Sequence, residues 1–148
     1  MKMKKKSRGF SLIEVLVGLF LVAVAVLGLA ELFLAAVANN LKADRVANAT
    51  FLARQQIDWL RGFTLDELLA YRGTNLEDRD EVIDLNLDGT NDYRRITEFP
   101  LLLNATDTFQ VRIYVYSAEK FGIVSPAVLI SDTDLHRPRA LITTIITR

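Results

Sequence analysis

The chain reads as an α+β protein in which a long N-terminal helix packs on a C-terminal antiparallel sheet of about four strands. Three observations predict this. From Val15 to Ala30 no charged residue interrupts a run dominated by Val, Leu, Ala and Phe. Beyond that run, apolar residues keep recurring at three- and four-residue steps as far as Leu60. Later the pattern changes to short alternating segments between turn-prone residues, as a half-buried sheet requires.

The first element follows a basic leader. Lys2, Lys4, Lys5, Lys6 and Arg8 precede Gly9, and Phe10-Ser11-Leu12-Ile13-Glu14-Val15 opens the apolar run. A hydrocarbon layer of ~30 Å takes roughly 20 helical residues at 1.5 Å each, so residues 10–38 are long enough to cross it. The leader cations, against the mixed residues Asn39, Asn40, Lys42, Asp44 and Arg45 on the far side, keep the N-terminus cytoplasmic. The run outlasts the apolar region of an ordinary secretory signal. Two readings remain: a plain signal anchor, or a leader of residues 1–9 cut between Gly9 and Phe10. Glu14 is the anomaly. A carboxylate within a membrane helix costs roughly 2.5–3.5 kcal/mol, which marks it as functional unless it only snorkels at headgroup depth. Glu31, about 20 residues beyond Phe10, is placed at the outer interface.

Gly9-Phe10-Ser11-Leu12-Ile13-Glu14-Val15 resembles the class III leader junction of type IV prepilins and type II secretion pseudopilins. Leu27-Gly28-Leu29-Ala30, Asn39-Asn40, Ala47, Ala53-Arg54-Gln55-Gln56-Ile57 and Leu60-Arg61 further resemble PilV-like minor pilins, over Arg8 to Gly62. The resemblance implies the pilin fold, cleavage after Gly9 by a prepilin peptidase and N-methylation of Phe10. It implies that Glu14, fifth in the mature chain, neutralises the new terminal amine of a neighbouring subunit and so sets the assembly register. The implied function is a minor structural subunit of a type IV pilus, active in assembly, initiation and surface presentation. Its alternatives are a minor pseudopilin of type II secretion and a DNA-receptor minor pilin. The implied partners are other pilins through the N-terminal helix, the peptidase and the inner-membrane assembly platform. The implied location is the inner membrane as a single-pass precursor, then an extracellular pilus or periplasmic pseudopilus.

Past the membrane segment, residues 39–62 read as an amphipathic continuation. Ala43, Val46, Ala47, Thr50, Ala53, Ile57 and Leu60 form one stripe, and Lys42, Asp44, Arg45, Asn48, Arg54 and Asp58 lie off it. Arg61-Gly62 ends the helix, since Gly accepts the left-handed cap. Phe51 and Trp59 are expected to extend the core. No proline interrupts the apolar helix, so Gly18 and Gly28 are its weak points.

Residues 63–148 read as a β-rich head. Thr64-Leu65-Asp66-Glu67 is a capping box, opening a short helix from Leu65 to about Tyr71 that stops at Gly73. An acidic stretch spans 75–92, and strands follow at Arg94–Leu103, Phe109–Tyr116, Ile123–Ile130 and Ala140–Ile146. In the clearest strand Val111, Ile113 and Val115 share one face, and Arg112, Tyr114 and Tyr116 share the other, expected to point outward.

The acidic stretch holds the candidate metal site. Asp84, Asn86, Asp88, Thr90 and Asp92 have the alternate spacing of a calcium loop, with Gly89 at its bend. Arg95 stands where a bidentate Glu is usual, so a cation would draw on Asp78, Asp80, Glu81 or water. The competing reading is a solvated turn feeding a hairpin. No cofactor is required; structural calcium is the one candidate.

Charge and composition exclude several classes. Removing residues 1–9 leaves 13 cations against 18 acids, a net of −5, which opposes a nucleic-acid-coating surface. His136, Arg137 and Arg139 form the one basic cluster, a weak candidate for nucleic-acid contact beside its reading as an exposed turn. The chain has no Cys, one His and no Gly-rich phosphate loop, so the reading is of a non-enzyme.

Overall fold

The computed structural model describes residues 9–100 and 107–148. Of the expected leader, residues 1–8 therefore lie outside the described residues, as do residues 101–103 of the first expected strand. The chain divides after Lys42 into two units. In the first, helix α1 (Leu12–Arg61) begins, and every described residue of it is exposed. α1 is the one described helix long and apolar enough to cross a membrane.

The second unit, Ala43–Arg148, holds the rest of α1 and the head. α1 is followed by α2 (Leu65–Gly73), a 3-10 turn (Glu77–Arg79), β1 (Asp80–Ile83), β2 (Tyr93–Glu98) and β3 (Thr108–Ser117). Then come α3 (Ala118–Phe121), α4 (Pro126–Ser131) and β4 (Ala140–Thr147). The four strands form an antiparallel meander in the order β1-β2-β3-β4. The predicted α+β arrangement, a long helix on a four-stranded antiparallel sheet, is present.

The buried side of α1 comprises Ala49, Leu52, Ala53, Gln56, Ile57 and Leu60. These recur at three and four residues and meet Val111, Ile113 and Val115 of β3, Ile146 of β4 and Leu68 of α2. The stripe is thus rotated from the expected one. Val46 and Ala47 face solvent, and Ala49, Leu52 and Gln56 take their place. Gln56 is tolerable there because its amide donates to the Tyr71 hydroxyl at 3.3 Å. Phe51 and Trp59 are exposed rather than core, although Trp59 meets Phe63 and Tyr71 edge-on at 4.3 and 5.4 Å.

The capping box forms as the sequence predicts. Glu67 accepts from the Thr64 N–H at 2.7 Å while the Thr64 hydroxyl accepts from the Glu67 N–H. α2 ends at Gly73, where the sequence reading stops it, two residues past Tyr71.

Two strand expectations fail. Ile123–Ile130 is not a strand: α4 occupies Pro126–Ser131, with Pro126 at its first turn. There the missing N–H is harmless, whereas in a ladder it would cost a hydrogen bond. Phe121 and Leu129 bury against Ile96, Tyr114 and Tyr116, so the sheet's second face carries a core of its own and is not simply polar. Conversely, β1 lies inside the acidic stretch, where no apolar alternation announces it.

Candidate functional site

Gly9 and Phe10 precede α1, exposed, and Glu14 sits in its first turn. The turn is closed by the N–H groups of Glu14 and Val15 donating to the Ser11 carbonyl at 3.0 and 3.2 Å. The helix opens at Leu12, so the Gly9–Phe10 bond lies in non-helical backbone. Among the described residues no cation pairs with Glu14. Its neighbours Leu12, Ile13, Val15, Leu16 and Val17 are each at least half exposed. Within a hydrocarbon layer a carboxylate is costly unless it reaches the headgroups or meets a cation.

The expected calcium residues do come together, in an exposed loop between β1 and β2, and their polar groups bond the loop itself. Asp84 accepts from the N–H groups of Leu87 (2.7 Å) and Gly89 (2.8 Å), the two described residues at positive φ. Asp92 accepts from the Leu85 N–H at 3.0 Å, and Asn86 from the Asp88 N–H at 3.2 Å. Hydrogen bonds from the Thr90 hydroxyl and N–H hold the Asp88 carboxyl below the usual range. Among the described residues no group of three or more His, Cys, Asp or Glu is placed to hold a metal ion. Asp88 Oδ1 takes both Thr90 donors, whereas the Asp84 oxygens and Asp92 Oδ2 accept one bond each and keep a lone pair that a hard cation could use.

The residues of the basic cluster differ in setting. His136 packs edge-on to Phe121 at 5.5 Å, Arg137 is exposed, and Arg139 donates its N–H to the Val115 carbonyl at 2.8 Å. The Arg139 side chain borders a cleft of about 440 Å³ shared with Arg45, Asp92 and Glu119, where acids offset the arginines.

Sequence reasoning missed two buried cations on β2. Arg94 points to the α3–α4 face, where it pairs with Asp80 and donates to the carbonyls of Phe121 and Val124. Arg95 points to the α1 face, where it pairs with Glu81 and donates to the Leu52 carbonyl at 3.0 Å. The signal was present as Asp80-Glu81 and Arg94-Arg95, adjacent acids and adjacent bases, but it needs the β1–β2 register to be read.

Residues 4–30 match a family model, the prokaryotic N-terminal methylation motif. That match supports a type IV pilin-like or pseudopilin protein, a substrate of prepilin peptidase that associates with the membrane through its apolar helix. Compared with curated proteins and with solved structures, the chain has no match. A motif of this type suggests a structural protein.

Proposed function

We propose that this chain is a minor subunit of a type IV pilus, of the PilV-like kind, cleaved after Gly9, methylated at Phe10 and inserted by its helix into the filament core. The supporting observation is the junction itself: an exposed Gly9–Phe10 bond, a Glu14 four residues on that pairs with no cation among the described residues, and an apolar helix whose described residues are exposed from Leu12 to Lys42. Cleavage creates a cationic amine at Phe10. Brought against the Glu14 of a neighbour in an apolar setting, the amine and the carboxylate offset each other's burial cost; either alone is penalised. The pair selects one axial stagger, and the head is carried to the filament surface.

A minor pseudopilin of type II secretion shares these N-terminal features and differs in the filament that receives it. The DNA-receptor reading rests on His136, Arg137 and Arg139 in a chain that is otherwise net acidic once the leader is removed. Structural calcium at the 84–92 loop belongs to the same proposal, on spacing alone. The test is intact mass of the protein from purified native pili. Mass beginning at Phe10 with one added methyl group supports the reading; recovery only as membrane-bound chain with Lys2–Gly9 attached overturns it.

A further inference from the structure

We propose that the head bears an edge-to-edge docking surface: the free edge of β4 pairs with the β1 edge of a second copy, continuing one antiparallel sheet between neighbouring heads. The inference rests on the membrane-anchored orientation of the proposed function and goes beyond it, since that reading assigns contacts to the helix alone.

β4 is eight residues of Ala, Leu, Ile and Thr, with no charge, proline or bulge to guard it, and among the described residues only β3 pairs with it. Such an edge is a template for another strand. Arg148 donates to the Asp107 carbonyl at 2.9 Å, and the β3–β4 register sets these two opposite each other. In an antiparallel ladder, bonded pairs alternate with unbonded ones. The main-chain groups of Leu141, Thr143, Ile145 and Thr147 therefore turn to the free side.

Topology chooses the occupant. With four antiparallel strands, β1 and β4 are the two edges and run in opposite directions. Copies anchored in one membrane point the same way, so side by side they present β4 to β1 as an antiparallel pair. Joining β4 to β4 in antiparallel sense requires one copy to be inverted, which the anchor forbids.

Chemistry agrees. Val82 of β1 and Leu141 and Ile145 of β4 lie on the face away from α1, and each is at least two-fifths exposed. Pairing the two edges brings these side chains together. The edges also differ in charge. Glu77, Asp78, Asp80, Glu81 and Asp84 cluster at β1, while Arg54 and Arg61, the latter 3.6 Å from Asp58, flank the groove beside Ile142 and Thr144 of β4, and Arg148 follows its end. Asp80 and Glu81 are partly neutralised by Arg94 and Arg95, leaving Glu77, Asp78 and Asp84 to face the neighbour's arginines.

The chain has no cysteine, which makes the test direct. Full-length protein carrying Val82→Cys is co-expressed with copies carrying Leu141→Cys, Thr143→Cys or Ile145→Cys, and membranes are treated with a mild oxidant. The expected result is a disulfide-linked dimer for at least one pairing, lost when Thr143→Pro is added to an Ile145→Cys or Leu141→Cys copy. Proline there removes only an outward N–H, and an unchanged Tm confirms that the head still folds. Ile145→Cys alone forming dimers, crosslinks only to a different protein, or no crosslink in chain that is cleaved at Gly9 and assembled would each overturn the proposal. That last outcome leaves the pilin reading intact; uncleaved, unassembled chain instead removes the reading itself.

Discussion

Arg94 offers the sharpest test of how the head is held together. Its side chain is 5% exposed and that of Asp80 is 11% exposed, so the pair is desolvated on both sides. The same guanidinium bridges the carbonyls of Phe121 and Val124, tying the α3–α4 segment to β1 across β2. Arg94→Ala leaves a buried carboxylate bare and two carbonyls without donors. Breaking one side of a buried pair costs about 3–5 kcal/mol. For a unit of this size that is a fall in Tm on the order of 15 °C. Thermal unfolding of the full chain in detergent, followed by near-ultraviolet dichroism from the buried tyrosines, measures it. Arg112, whose contact with Glu98 is 3.7 Å long and whose side chain is 40% exposed, is the internal control, and its removal should cost under ~1 kcal/mol. The double variant Asp80→Leu/Arg94→Met should lose less than Arg94→Ala, because no uncompensated charge remains. If Arg94→Ala is no worse than Arg112→Ala, or if the double variant is no better than the single one, the clamp argument fails.

Glu14→Ala should insert and be cleaved normally yet be absent from purified filaments; normal incorporation on immunoblots would defeat the register argument. Asp84→Ala removes acceptors from Leu87 and Gly89 and should lower head stability by roughly 1 kcal/mol in urea titration with or without calcium. Under the calcium reading, a calcium titration should further raise the Tm of the parent and not of Asp88→Ala, whereas a flat titration leaves the loop held by its own bonds. Burial raises the pKa of Tyr71, Tyr114 and Tyr116 above the ordinary 10.0. A raised folded-state value means their stabilising contribution is complete below about pH 10 and is lost as pH climbs beyond it. Tm measured across that window should therefore fall on the alkaline side, less steeply in Tyr116→Phe, which at neutral pH should cost roughly 1–3 kcal/mol through the lost bond to the Leu129 carbonyl.

The N-terminal half was legible because its signals are local. Gly9, Phe10, Glu14 and the uncharged run define the junction and the helix without reference to any other part of the chain. The capping box at Thr64 and Glu67 is likewise a contact three residues long, and it formed as read. The alternation of Val111, Ile113 and Val115 located β3 and its core face. Where the reading failed, the deciding contact was remote. The α1 stripe was misplaced because small residues such as Ala47 and Ala49 look alike in sequence, and only the sheet selects which is covered.

Sequence alone therefore determined the anchor, the candidate cleavage junction and the α+β class, since each follows from periodicity and charge within one segment. Tertiary structure decided that Ile123–Ile130 turns helical over a second core, that β1 forms in an acidic stretch, and that Arg94 and Arg95 are buried. The physical reason is common to the last two. An acid-rich strand and two interior guanidinium groups are unfavourable taken singly, and become stable only when the antiparallel register sets Asp80 and Glu81 against them.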